Sequence, residues 1–345
     1  MYAMTSEEKR DNTMKTRELG KSGLKVSAIG MGCMGFSHGY GALPPESEAL
    51  RLMALAHDLG CTFYDTVEVY GPYVNEELTG KGVAPFRKDI VLATKFSPFP
   101  LKGQDWPYPK LSARGIRRSL EESLQRLGTD YVDLYYLHRV PEDCDLEGIA
   151  AAVGDLIREG LVRGWGLSQA TEAQVRRAHA VTPLAAIQSE YSMMERMFEK
   201  DVIPACAKLG IGFVPFSPLA SGFLSGKYTE KTEYSGDDVR RVITRFSKEN
   251  VAANQPLLDL LNTFAREKNA TPAQISLAWI LRKGDFIAPI PGMRKEERVR
   301  ENLAAADITL TDAEFAALEK ALDGITIHGN RTDKDIEKLG TVRAS

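Results

Sequence analysis

The sequence predicts an α/β chain that closes into a (β/α)8 barrel of the TIM type, with a β-hairpin at the bottom and long loops on the C-terminal face. Three observations predict it. Short apolar stretches alternate with longer amphipathic ones eight times along the 345 residues. The apolar stretches are nearly continuous, as strands buried on both faces require. No charge run or Gly/Ser linker interrupts the series. Residues 1–16 are expected to be a flexible N-terminal extension, with Met14 a candidate natural start. Residues 17–324 are expected to form one barrel domain, and 325–345 a C-terminal tail or lid.

The elements follow in order. Arg17 to Val26 reads as the hairpin, its turn carried by Gly20 to Gly23. Strand one is expected at Val26–Ile29, running into glycines, and helix one at Pro45–Leu59 with Gly60 beyond it. Strand two is Thr62–Thr66, followed by a helix near Asn75–Gly82 and strand three at Ile90–Lys95. Helix three starts after Ser112, carries Ile116, Leu120, Leu124 and Leu127 on one face, and stops at Gly128. Strand four is Val132–His138, helix four Leu146–Glu159 and strand five Val162–Leu167. Thr171-Glu172-Ala173-Gln174 opens helix five as a capping box. Strand six is Ala185–Ser189, helix six Lys200–Leu209 and strand seven Gly212–Phe216. Helices from Pro256 and from Thr271-Pro272 precede strand eight at Phe286–Ile290 and a helix at Lys295–Ala305. Thr311 caps a final helix ending at Gly324. The segments Ser97–Lys110 and Ser217–Asn250 are too long for ordinary connections, and they leave the strand ends where barrel active sites sit.

Composition excludes several function classes. Lys plus Arg number 44 against 47 Asp plus Glu, a net charge of −3, so nucleic acid is not an expected partner. No apolar run is long enough to span a bilayer, and the N-terminal residues lack a secretory apolar core. Cys33, Cys61, Cys144 and Cys206 lie far apart with no CxxC pair. They read as reduced thiols of a cytoplasmic protein, with no disulfide framework and no metal site.

Alternation along the strands selects a candidate site. Phe63 and Asp65 share a face of strand two, as do Val91, Ala93 and Lys95 of strand three, and Leu134, Tyr136 and His138 of strand four. If these faces point inward, Asp65, Lys95 and His138 meet at the barrel mouth, within reach of Tyr70 in the loop above strand two. A phenol is a weak acid, with an ordinary pKa of ~10. A nearby ammonium lowers that value, and Asp65 compensates the burial of the ammonium. His138 can donate a hydrogen bond to a carbonyl oxygen. Such a site protonates an oxygen as charge develops on it, and it needs a hydride cofactor to complete a reduction.

These residues resemble the aldo-keto reductase family, from the Arg17 hairpin to about Ala305. Asp65-Thr66-Val67-Glu68-Val69-Tyr70-Gly71, Ala93-Thr94-Lys95 and Tyr136-Leu137-His138-Arg139 are similar to its Asp, Tyr, Lys and His tetrad. Gly166-Leu167-Ser168, Ile187-Gln188 and Phe216-Ser217-Pro218-Leu219 resemble its cofactor strands, and Ile290 to Arg294 with Arg298 to Asn302 its adenosine-phosphate segment. The resemblance implies NADPH-dependent reduction of an aldehyde or ketone to an alcohol, with NADP(H) as cofactor and a small carbonyl compound as substrate. Tyr70 is implied as proton donor, Asp65 and Lys95 as its tuning pair, and His138 as the group orienting substrate. Ser168, Gln169 and Gln188 are implied at the nicotinamide carboxamide and Phe216 stacked on its ring, with Asp65 also among the cofactor-binding residues. Gly32, Cys33 and Met34 are implied near the ribose. Ser217, Pro218, Leu219, Ser221, Gly222 and Lys227 are implied along the pyrophosphate. Arg294 and Arg298 are implied at the 2′-phosphate, Gly292 and Met293 as further cofactor-binding residues beside them, and Glu301 and Asn302 at adenine. Gln169, Met293 and Phe216 depart from the commonest family residues, and none of these departures undermines the tetrad.

Plainer readings stand beside these. Gly30-Met31-Gly32-Cys33-Met34-Gly35 is a literal GxGxxG, but no helix opens at Gly35, which argues against a Rossmann turn. The glycines read instead as permitting close backbone approach, expected to be to the cofactor. Asp65 with Lys95 alone would be a structural ion pair, and Arg294 with Arg298 alone a solvated helix face. Trp106, Tyr108, Phe223 and Tyr228 read either as loop anchors or as walls of a substrate pocket. Two further functions compete: a cofactor-binding redox sensor or regulatory subunit with little turnover, and a metal-dependent hydrolase, for which no HxH or carboxylate–histidine cluster speaks.

Overall fold

The computed structural model describes residues 14–101 and 106–331. Most of the expected N-terminal extension and of the expected tail, together with four residues of the Ser97–Lys110 loop, lie outside the described residues. Among the described residues an antiparallel hairpin comes first, β1 (Thr16–Glu18) and β2 (Lys25–Ser27). Seven parallel strands follow, each beside the next in chain order: β3 (Met31–Gly32), β4 (Phe63–Asp65), β5 (Val91–Phe96), β6 (Val132–Leu137), β7 (Val162–Ser168), β8 (Ala186–Glu190) and β9 (Gly212–Phe216). Helices α1 (Glu46–Asp58), α2 (Val74–Val83), α3 (Ala113–Leu127), α4 (Leu146–Arg158), α5 (Glu172–Val181) and α6 (Val202–Leu209) connect them on the outside. After β9 come α7 (Lys248–Ala253), α8 (Gln255–Lys268), α9 (Pro272–Arg282), α10 (Glu296–Ala304) and α11 (Asp312–Asp323).

Local chemistry sets the helix ends. Ser112 accepts from Gly115 N at the start of α3, and Gly128 ends it in the left-handed conformation. Thr171, Thr271 and Thr311 each form a full capping box with the Gln or Glu three residues on.

Two strands differ from the sequence reading. Val26 belongs to the hairpin, opposite Arg17, and the barrel begins only at Met31. The hairpin strand crosses the barrel bottom first, with Ser27 N held by Thr62 Oγ1 at 2.8 Å. The expected strand eight forms no regular ladder, although the chain runs where a strand should. Ala288 N and Ile290 N donate to Phe213 O and Pro215 O of the β9 side, both at 3.0 Å. Pro289 O and Pro291 O accept from Gly30 N and Gly32 N on the β3 side at 2.9 and 3.1 Å. Proline has no N–H, so the reciprocal bonds to β3 cannot form and the ladder is one-directional. The barrel nonetheless closes through this segment.

The core has two layers. Inside the barrel lie Phe63, Ala93, Leu134, Tyr136, Ala186, Val214, Ala288 and Ile290, plugged from below by Leu19, Leu24 and Val26 of the hairpin. Outside, Tyr64, Leu92, Tyr135, Leu137, Trp165 and Ile187 pack against the helices. The alternation read from sequence therefore holds in β4, β5 and β6, and it carries Asp65, Lys95 and His138 to the inner face at the mouth.

Candidate active site

Lys95, 1% exposed, lies near the end of β5 and meets the Asp65 carboxylate directly. Its ammonium also donates to Thr66 O at 2.8 Å, while Gln188 Nε2 donates to the second Asp65 oxygen at 2.8 Å. Loss of water lifts the Asp65 carboxyl and lowers the Lys95 ammonium. Each is the counter-charge that keeps the other ionised. His138 continues β6 by one residue, its N–H on Phe96 O at 2.9 Å. Tyr70 arrives from the loop after β4. Its ring centre stands 5.7 Å from Lys95 Nζ and 6.4 Å from the His138 ring, edge to face. The four predicted residues converge.

One expectation about them is corrected. Lys95 was to hold the phenol near ionisation; instead burial, with the Asp65 carboxylate, pushes Tyr70 well above the ordinary phenol range. Arg139 pulls the other way. Asp65 neutralises Lys95, so removal from water decides the sign. At neutral pH Tyr70 is a fully protonated donor.

Two residues that hold the Tyr70 loop were not anticipated. Asn75, fully buried, accepts from Thr66 Oγ1 at 2.6 Å and donates to Cys33 O and Ser37 Oγ at 2.9 and 2.7 Å. Its own N–H donates to Tyr70 O at 3.2 Å. Glu68, 1% exposed, accepts from Ser97 N at 2.7 Å and pairs with Lys110 at 3.1 Å. Nothing in the sequence separates such an asparagine or glutamate from surface residues at a helix start. His38, left unassigned before, lies 3.5 Å from Asp237 and with its ring 6.4 Å from that of Tyr70.

Beside the mouth a cleft of about 370 Å³ runs between the loop after β9 and the start of α10. Ser217, Pro218, Leu219, Ser221, Gly222 and Lys227 line one side, and Gly292, Arg294, Arg298 and Asn302 the other, as expected. Tyr40 and Arg240 join them unannounced, since only long-range packing brings them there, and Lys295 follows Arg294 into the cleft. Ser217, Ala220 and Ser221 hold left-handed φ values of 48°, 49° and 56°, a strain typical of loops shaped around a ligand. Asn302 is 1% exposed and its Oδ1 has no hydrogen-bond partner among the described residues. A buried, unsatisfied acceptor beside Arg294, Lys295 and Arg298 suits an anionic nucleotide with donor groups on its base.

Other expected residues do not line this cleft. The Cys33 and Met293 side chains are wholly buried in the layer between strands and helices, because both strand segments turn those positions outward. Burial pushes the Cys33 thiol up to about 12. Glu301 binds Arg298 instead of lining the cleft, and its carbonyl accepts from Gln274 Nε2 at 3.0 Å. Met34 packs beside Gly39. Gly32 bridges to Gly292 at the barrel seam. The close approach permitted by the glycine motif is to protein: a Cβ at Gly30, Gly32 or Gly35 would lie 2.7, 2.7 and 2.6 Å from the Phe63 ring, Ile290 O and the Arg294 side chain. Ser168 Oγ accepts from Arg139 Nη1 at 3.0 Å, and Gln169, at φ 56°, accepts from Glu190 N at 3.0 Å. Phe216 is partly exposed at the end of β9, with Arg139 5.7 Å from its ring centre. Of the loop aromatics, Tyr228 lines the cleft, Phe223 is buried against Phe246, and Trp106 anchors its loop between Lys110 and Arg118.

A model of the aldo/keto reductase family matches residues 28–323. Solved structures agree. A thermostable aldo-keto reductase determined with the inhibitor epalrestat is 29% identical, with a TM-score of 0.71 over 89% of this chain and 100% of its own. The glycerol dehydrogenase of Gluconobacter oxydans is 26% identical, with a TM-score of 0.81 over 91% and 96%. The holo form of an aldo-keto reductase from Bacillus halodurans is 28% identical, with a TM-score of 0.73 over 89% and 96%. The matched span contains the barrel, the tetrad and the cleft, and the chain belongs to the aldo-keto reductase family of oxidoreductases.

Proposed function

We propose that the protein reduces an aldehyde or ketone to the alcohol with NADPH, the proton coming from Tyr70. The observation that carries this is the approach of Tyr70 to both Lys95 and His138, at the mouth of a barrel with a cationic cleft alongside. A nicotinamide nucleotide held by the residues of that cleft would supply the hydride. Tyr70 holds its proton until charge develops on the substrate oxygen, then releases it while Arg139 favours the phenolate. His138 directs a ring N–H toward the same oxygen. Asp65 and Gln188 keep the ammonium in place. Arg294 and Arg298 favour NADPH over NADH, because guanidinium geometry matches a 2′-phosphate, and Lys295 adds positive charge. The same reading includes a cytoplasmic location, supported by four free and mostly buried thiols.

The test follows NADPH absorbance over a panel of aromatic and aliphatic aldehydes, with wild type and Tyr70→Phe, and nucleotide binding by fluorescence. The expected result is turnover by wild type, and a variant that binds NADPH but is slower by about 10²–10⁴-fold. Tight binding with no turnover of any carbonyl by either protein would instead support a redox sensor. Failure of both to bind NADPH would refute the assignment of the cleft.

A further inference from the structure

One buried carboxylate holds both ends of the loop that follows β5. Glu68 Oε1 accepts from Ser97 N at 2.7 Å, where the loop leaves the strand. The same carboxylate meets Lys110 Nζ at 3.1 and 3.3 Å, where the loop returns toward α3. The Glu68 and Lys110 side chains are 1% and 2% exposed, so the pair is shut off from water. A pair this buried holds one geometry, whereas an exposed pair is loosened by solvent.

Contacts run outward and inward from it. Outward, the Lys110 ammonium lies 3.9 Å from the centre of the Trp106 ring, which stands edge to face against Tyr108. Phe99 N donates to Ser97 Oγ at 3.3 Å, and its ring is 49% exposed just past the end of β5. Inward, Glu68 belongs to the turn that carries Tyr70. Tyr73 N donates to Glu68 O at 2.9 Å, and Tyr70 N to Val67 O at 3.2 Å. That turn has a fastening of its own in Asn75 N, 3.2 Å from Tyr70 O. Loss of Lys110 therefore frees the returning end of the loop and leaves the proton donor seated.

We propose that the Glu68–Lys110 pair positions substrate, by fixing the loop over residues 97–110 relative to Tyr70, and so selects carbonyl compounds whose apolar body reaches that loop. This rests on the function proposed above, in which Tyr70 protonates the substrate oxygen. The loops at the C-terminal ends of barrel strands wall the site. A carbonyl reacts when its oxygen stands at Tyr70 while its body rests on such a wall. Glu68 ties wall to donor, so a shift of the loop becomes a shift of the carbonyl. A displacement of ~1 Å costs on the order of 100-fold in rate. An aldehyde too small to touch the loop is indifferent to it. Lys110 and Glu68 are thus positioning residues, and neither contacts the reacting atoms.

The experiment compares propanal with its phenyl derivative hydrocinnamaldehyde, at saturating NADPH, in the full-length protein. The proteins are wild type, Lys110→Met, Lys110→Arg and the double variant Glu68→Gln/Lys110→Met. Wild type is expected to prefer hydrocinnamaldehyde in kcat/KM. Lys110→Met is expected to lower that preference about 10–100-fold with propanal little changed, and Lys110→Arg to keep it. The double variant keeps an acceptor for Ser97 N and leaves neither charge buried alone, so it is read where the single variant fails to fold. It is expected to lose the preference as well. No preference in wild type overturns the proposal and leaves the proposed function standing. So does an unchanged preference in the double variant, or an equal fall for both aldehydes, which would make the pair purely structural. Turnover by wild type of neither aldehyde, nor of any other carbonyl in the panel above, would remove the proposed function and this inference together.

Discussion

Replacing Lys95 with methionine keeps the length of the side chain and removes its charge. Asp65 is 3% exposed, and in the variant its carboxylate retains the Gln188 hydrogen bond but loses the ammonium. Thr66 O loses its 2.8 Å donor as well. Removing one partner of a buried ion pair costs about 3–5 kcal/mol. The cost depends on pH, and its sign can be worked out. Burial already raises the Asp65 pKa with Lys95 present, and without the ammonium it rises further. Folded Asp65 then keeps a proton that the unfolded chain releases near pH ~4. The folded state binds more protons across that window, so the variant loses stability as pH rises from the unfolded value through the raised folded one. The deficit is small in acid and complete above the folded value. Urea unfolding followed by the fluorescence of the buried Trp165 and Trp279, at pH 5 and pH 8, measures it. Adding Asp65→Asn should recover most of the loss and flatten its pH dependence. A deficit below about 1 kcal/mol at pH 8, or one that grows toward acid, would refute the reasoning, since the quoted 3–5 kcal/mol presumes an ionised, uncompensated carboxylate.

Three other outcomes are expected. Arg298→Met should weaken NADPH binding by about 10–100-fold and leave NADH nearly unchanged, because a charged hydrogen bond contributes about 1.5–3 kcal/mol; the ratio of dissociation constants for the two nucleotides checks this. Asn75→Ala should cost about 1–3 kcal/mol for each buried group left unsatisfied. It should also lower kcat more than KM, since Asn75 holds the Tyr70 loop and not the substrate; steady-state kinetics beside urea unfolding separate the two effects. Burial raises the thiols of Cys33 and Cys206 to about 12 and that of Cys61 to about 11, whereas Cys144 is half-buried. Ellman's reagent at pH 8 should therefore find one fast thiol in the native protein, Cys144, and the remaining three only in urea.

Much of this protein is legible without coordinates wherever the controlling interaction is local. A strand sends successive side chains to opposite faces. Phe63 therefore carries Asp65 inward, Ala93 carries Lys95 and Tyr136 carries His138, and three of the four tetrad residues were placed by period two alone. The capping boxes at Thr171, Thr271 and Thr311, and the left-handed stops at Gly128 and Gly210, are equally local. The cleft residues on either side of the barrel seam could be named because their motifs resemble those of the aldo-keto reductase family.

What only the tertiary structure decided depends on partners distant in the chain. Pro289 and Pro291 close the barrel with bonds in one direction, which becomes visible only once β3 and β9 flank them. Cys33 and Met293 turn into the helix layer because the neighbouring segments fix their faces. The height of the Tyr70 pKa follows from burial that no local pattern reports. Asn75 and Glu68 hold the Tyr70 loop through hydrogen bonds to other segments, and Arg331 meets Glu190 across 141 positions of sequence. Periodicity encodes which way a side chain points within its own element. It carries no information about which other element lies opposite, and that choice determines the burial, the charge balance and so the chemistry of the site.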